Sequence, residues 1–270
     1  MEHLSSAQLV TEFIEEMLSG EIRNFKTFDL KRLRFNEKYG SPGRPFDCDD
    51  TELMRGIYIL LWGDIFPGMH QNNFGFLKQY RGDTVNSFHT MFGRPIPERP
   101  GFFNGVEKYA PSDELREQVR IFSNCCNLLG NYVVLPNLSA CRTTLNCYRG
   151  TNEWRDFFDR FLIELYKVQT GSEGQDETLK KLIQVNDFCF SCFTGETGMA
   201  QWIERLFLQD YCYDNAPRPR EIFPINYHWK NLNDREKYFQ DARHYIETSC
   251  RIINNRTEKM ISLLKTRLNF

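Results

Sequence analysis

No run of this 270-residue sequence approaches the ~20 consecutive apolar residues of a membrane-spanning helix, so no membrane association is expected. The opening MEHLSSAQLVTEFIEEM is acidic and amphipathic, and lacks the positive flank and apolar run of a secretion signal. A dominant charge is missing as well. With 34 basic and 36 acidic residues the net charge is −2, so no global field recruits nucleic acid or an anionic membrane, though a local basic patch stays open. Chemical signatures are equally scarce: there is no Gly-rich phosphate loop with its Lys, no GxGxxG, GxSxG or HExxH, no EF-hand loop and no zinc-finger spacing. The five His form no pair at metal-ligand spacing, and the expectation is no metal and no cofactor.

What the chain does contain is aromatic and thiol-rich. Aromatics make up 14% of the residues, 23 of them Phe, which predicts a core dense in large rings. Nine Cys without a secretion signal read as reduced thiols of a cytoplasmic protein, and a buried free Cys behaves as a small hydrophobe. The length suits a single domain over 1–270, with an N-terminal helix and irregular arm over 1–46 and a main helical body over 47–270.

The periodicity predicts a mainly α fold, a helical bundle with at most a few short strands. Leu9, Val10, Phe13, Ile14 and Met17 share one face of a first helix that stops at Gly20. Asp47–Thr51 opens a second, carrying Leu53, Ile57, Leu60, Leu61 and Trp62. The stretch 68–111 is loop-rich, with a helical turn only at 83–92. A helix from Ser112 or Asp113 through Leu129 is closed by Gly130, and Tyr132–Leu135 is a short strand ended by Pro136. Thr151 caps a helix over 152–169, and two more follow at about 176–192 and 196–210. Phe239, Ala242, Ile246, Cys250, Ile253, Met260 and Leu264 then mark one long final helix of roughly 45 Å.

Candidate chemistry has to be weighed against plainer explanations. Cys189-Phe-Ser-Cys192 has redox spacing but no βαβ context, so core thiols explain it better. Asp47, Asp49 and Asp50 suit a hard cation, yet acidic residues at a helix start are what capping favours. Arg81-Gly82-Asp83 reads as chance. His89 is the one candidate general acid or base, with a hydrogen-bonded structural role as the alternative; His228 is weaker. Arg142, Arg149, Arg155 and Arg160 cluster on a polar segment and the helix after it, with Asn146 and Asn152 beside them. At a turn into a helix, free backbone N–H groups and an Arg fork suit phosphate or carboxylate. Pairing of these arginines with Glu153, Asp156 and Asp159 is the structural alternative.

The central stretch Gly130-Asn131-Tyr132-Val133-Val134-Leu135-Pro136, then Thr144-Leu145-Asn146-Cys147-Tyr148-Arg149-Gly150-Thr151-Asn152, then Asp159-Arg160-Phe161, resembles an uncharacterised family of bacterial proteins known only as a domain of unknown function. Outer matches are Leu61-Trp62, His89-Thr90, Leu208-Gln209-Asp210 and Asn255-Arg256. Cys189 and Cys192 lie outside the pattern, and the resemblance implies no catalytic role. Gly-Asn-x-x-x-Leu-Pro also resembles a segment of HNH-type nucleases, but the Asp-His-Ile-x-Pro that those enzymes need upstream is missing.

Two functions of different class follow. In one, the protein holds a small anionic ligand, a nucleotide or phosphate, with Arg142, Asn146, Arg149 and Asn152 lining the site and His89 approaching it. In the other, the same residues form a buried polar network, and the chain is an interaction module that pairs as a homodimer through its C-terminal helix. A metal-dependent nuclease is the distant third.

Overall fold

Apolar residues at three- and four-residue spacing make most of this chain helical, and the elements take their length from where that spacing breaks. The computed structural model describes residues 6–21, 52–66, 82–84, 112–125, 128–136, 138–150, 158–214, 216–222 and 235–270. Helix α1, Ser6–Ser19, buries Leu9, Val10, Phe13 and Ile14 on one face and stops at Gly20, whose φ of +78° a side chain would resist. Helix α2, Glu52–Trp62, buries Leu53, Met54, Ile57, Tyr58, Leu61 and Trp62. The two helices pack on each other and on the long C-terminal helix. The acidic run at 47–50, the 85–92 turn with His89, and His228 lie outside the described residues.

Helix α3 covers Asp113–Cys125, with Leu115, Val119 and Phe122 inward. It ends earlier than its periodicity predicts. Leu129–Asn131 is a separate 3₁₀ turn, with Tyr132 N donating to Leu129 O at 3.1 Å. The strand expected at 132–135 is reduced to an isolated antiparallel bridge between Tyr132 and Asp83. Among the described residues there is no multi-strand sheet.

A short helix that the periodicity does not foresee, α4, spans Leu145–Gly150. Helix α5, Phe158–Thr170, buries Phe158, Phe161, Leu162 and Leu165 as its stripe predicts. The 176–192 segment is two helices, α6 (Glu177–Val185) and α7 (Asp187–Phe190), followed by a 3₁₀ turn over Ser191–Phe193. Asn186 divides them. Its buried amide donates to Leu182 O (2.7 Å) and Leu138 O (3.0 Å) and accepts from Leu138 N (2.9 Å), a better use of the side chain than continuing the helix. Asp176 caps α6, accepting from Thr178 N and Leu179 N at 2.9 and 3.0 Å.

Helix α8, Gly195–Arg205, buries Met199, Trp202 and Ile203, then breaks at Phe207 with φ +58° before a 3₁₀ turn at Gln209–Tyr211. Helix α9 runs Arg235–Leu268, 34 residues and about 51 Å at 1.5 Å per residue. One apolar cluster extends from Leu9 to Leu264, and α9 borders it against α1, α2, α3 and the Leu129–Asn131 turn. The outward positions of α9 are polar, including Glu247, Arg251, Asn254 and Glu258. No helix among the described residues is long and apolar enough to cross a membrane.

Candidate functional site

The densest polar arrangement forms where the Leu129–Leu135 stretch meets α9. Gly130 lies so close to α9 that a Cβ there would strike Ile253 O and come within 2.6 Å of Thr257 N. Its φ is unexceptional, so close backbone approach, and not the helix stop expected from the sequence, requires glycine here. Gly130 N donates to Thr257 Oγ1 at 2.9 Å, and that hydroxyl donates to Ile253 O at 2.8 Å.

Next to Thr257, Arg256 is fully buried, and its guanidinium is taken up by backbone carbonyls. Nε donates to Phe207 O (3.1 Å), Nη1 to Gly130 O, and Nη2 to Tyr132 O (3.1 Å) and Leu206 O (3.0 Å). Burial lowers its pKa to about 10, against the opposing pull of Tyr211, Tyr58 and Asp210, so the group is charged at neutral pH. A guanidinium directed at four carbonyls of its own chain is a fastener between segments and has little left for a ligand. The sequence holds one signal for it: position 256 falls on the apolar stripe of the last helix, between Ile253 and Met260, where a charge is out of place.

The same stretch is held from its other side. Thr84 N donates to Asn131 O (2.7 Å), Thr84 Oγ1 donates to Asn131 Oδ1 (2.8 Å), and Val133 N donates to Gly82 O (2.9 Å). The Gly82-Asp83 pair is thus part of the fold, with Gly82 facing Leu135 at a distance that excludes a side chain. Tyr58 OH reaches Val133 O at 3.3 Å, and Trp62 Nε1 reaches Arg205 O at 3.0 Å.

The polar segment singled out by the sequence begins at a tight turn. Ala140 and Thr143 exchange both backbone hydrogen bonds at 2.9 Å, while Cys141 and Arg142 between them have φ of 53° and 60°. Two successive positive φ values are the mark of a type I′ turn, which favours Gly, Asn or Asp at both places. Arg142 is exposed and has no ion-pair partner among the described residues. Thr144 then caps α4, its Oγ1 accepting from Cys147 N at 3.2 Å. Leu145 and Tyr148 face the core, and Asn146 is half-buried and engaged by a neighbour.

Arg149 stands within α4, past the first turn that Thr144 caps. The Arg149 side chain, Thr151, Asn152 and Arg155 lie outside the described residues. Arg160 pairs with Glu221 at 3.2 Å, while the buried Asp159 accepts from Ile222 N at 2.6 Å, so these two fasten α5 to the 220–222 segment. Of the CxxC, Cys189 is buried and Cys192 exposed. No group of three or more His, Cys, Asp or Glu capable of holding a metal occurs among the described residues.

A feature with no counterpart in the sequence reading is a cleft of about 400 Å³ lined by Asp64, Ile65, Phe193, Gln201, Glu204 and Arg205. Phe193 and Ile65 give it an apolar floor below a charged rim, where Arg267 pairs with Asp64 at 3.0 Å. Burial pushes the Asp64 carboxyl upward, but the hydrogen bond and charge of Arg267 outweigh it and hold the carboxyl below its ordinary range.

The sequence matches the profile of a family described as a family of unknown function, DUF6994, over residues 105–260. No curated protein and no solved structure matches the chain.

Proposed function

Because the chain belongs to the DUF6994 family of unknown function, which supplies no reaction, we propose its function from its own geometry: it binds a small phosphate-bearing anion at the 140–152 segment. Arg142 and Arg149 supply the forks, and Asn146 and Asn152 complete the hydrogen bonding. The observation that carries this reading is the pair of left-handed, non-glycine residues Cys141 and Arg142, which present to solvent a guanidinium with no ion-pair partner among the described residues. Each such residue costs about 1 kcal/mol or more that glycine would avoid, and strain of this kind gathers where a side chain is needed in one place. Since Arg149 lies past the first turn of α4, attraction comes from the side-chain forks. The reading treats the chain as one domain, since α1, α2 and α9 share an apolar core.

Thermal shifts with inorganic phosphate, pyrophosphate and a nucleoside triphosphate on wild type, Arg142→Gly and Arg149→Ala provide the test. A probe at a hundredfold its Kd stabilises by about 2.7 kcal/mol, a readily measured rise in Tm. Arg142→Gly relieves turn strain, so it should melt about 2–4 °C higher without ligand and respond less to the probe. Wild-type-sized shifts in both variants, or no shift in wild type with any probe, overturn the proposal.

A further inference from the structure

The cleft between the end of α2 and α8 is held in shape by the fold itself. A Cβ on Gly198 would lie 2.3 Å from the Phe193 carbonyl carbon, so α8 abuts the 3₁₀ turn that carries Phe193 and fixes the floor. The buried Phe66 backs Phe193, with ring centroids 6.1 Å apart, and Ile65 is half-buried. Trp62 Nε1 donates to Arg205 O at 3.0 Å, which ties the two walls together. Gln201, Glu204 and Arg205 stand at i, i+3 and i+4 of α8, on the face opposite the buried Met199, Trp202 and Ile203. The space they border, about 400 Å³, falls within the ~300–1,000 Å³ of small-molecule sites.

The charges around this floor are not all matched within the protein. Asp64 is taken up by Arg267 at 3.0 Å. Glu204 and Arg205, both exposed, have no ion-pair partner among the described residues, and neighbours in a helix do not face each other. One carboxylate and one guanidinium therefore share a rim above apolar side chains. A simple cation entering here meets the like charge of Arg205, and a simple anion meets that of Glu204; a molecule carrying both charges turns each repulsion into an attraction. We propose that the cleft binds a free α-amino acid with an apolar side chain. Its ammonium pairs with Glu204, its carboxylate takes the fork of Arg205, and its side chain lies on Phe193 and Ile65. The Gln201 amide, both donor and acceptor, serves either head group. An α-amino acid holds its two charges on one carbon, which suits partners supplied by consecutive residues. The site shares no residue with the 140–152 segment and does not depend on the anion reading.

The experiment is isothermal titration calorimetry of the full-length protein with L-phenylalanine, L-leucine, phenethylamine, which lacks the carboxylate, and 3-phenylpropionate, which lacks the ammonium. Both amino acids should bind at one site, and each analogue about fivefold more weakly than L-phenylalanine, the scale of one exposed ion pair. Arg205→Gln should weaken L-phenylalanine about fivefold and spare phenethylamine, while Glu204→Gln should weaken it equally and spare 3-phenylpropionate. A merely structural role for either residue would move all four ligands together. Both side chains are exposed, so the ligand-free variants should melt with the wild type. Arg142→Gly, at the proposed anion site, should bind L-phenylalanine as the wild type does. No binding of either amino acid, analogues as tight as L-phenylalanine, wild-type affinity in both α8 variants, or a loss in Arg142→Gly overturns the proposal.

Discussion

Replacing Arg256 by methionine keeps an unbranched apolar stem and deletes the guanidinium that joins three remote segments. Four carbonyls, of Gly130, Tyr132, Leu206 and Phe207, lose a charged donor inside the core. Each buried acceptor left unmatched costs about 1–3 kcal/mol, so the gross loss is roughly 4–12 kcal/mol. Against that, the variant no longer buries an ion that has no carboxylate partner among the described residues, which returns several kcal/mol. The net expectation is about 3–5 kcal/mol of destabilisation, a large part of the stability of an ordinary domain. Urea unfolding followed by Trp fluorescence measures it, since Trp62 and Trp202 are buried. Lysine at 256 retains charge but not the fork, and should fall between wild type and the methionine variant.

The sign of the pH dependence also follows. Arg256 is a base whose folded pKa, about 10, lies below its ordinary value, so burying its charge costs stability while both folded and unfolded chains are protonated. From about pH 10 up to the ordinary guanidinium range the unfolded chain holds the extra proton. The stability of wild type relative to the methionine variant should therefore rise with pH in that window and stay flat below it. A methionine variant within about 1 kcal/mol of wild type, with no such pH trend, would refute the view of Arg256 as a fastener.

Two further substitutions probe the same framework by other means. Gly130→Ala forces a methyl group into Ile253 O and Thr257 N of α9, and should cost about 3 kcal/mol or more by urea midpoint, whereas a change below 1 kcal/mol would show that the turn can retreat from the helix. Asn186→Ala removes two hydrogen bonds that tie Leu138 to the end of α6 and a third to Leu182 O, with an expected loss of about 2–3 kcal/mol; amide hydrogen exchange at Leu138 should accelerate in step, and unchanged exchange there would sever the link.

Helix faces were legible in the sequence because apolar spacing is a local property. Leu9 to Ile14, Leu53 to Trp62 and Phe158 to Leu165 all lie inward as their periodicity predicts. Helix ends were less so. Gly130 looked like a C-terminal stop, and only the three-dimensional approach of α9 reveals that a backbone needed the space. Asn186 looked like one more polar position in a helix until Leu138, far along the chain, presented its amide and carbonyl to it. The arginines around 142–160 stand out as a polar centre because they are neighbours in sequence. Arg256 stands apart from them and collects its partners from 49 to 126 positions away, which no local pattern encodes. The rim of the Asp64–Glu204 cleft was hidden for the same reason, since its walls come from α8 and the end of α2.

The dependence of Gly130 and Tyr132 on Arg256 has a consequence for how the chain is made. A nascent chain grows at about 5–20 residues per second, so the 126 positions between Gly130 and Arg256 take roughly 6–25 s to synthesise. Throughout that interval Val133, Val134 and Leu135, all buried at the end, have neither their arginine nor α9 to cover them. Helix α9 is therefore less an appendage than a closing stroke: the middle of the fold emerges first and must wait, unfinished, for it.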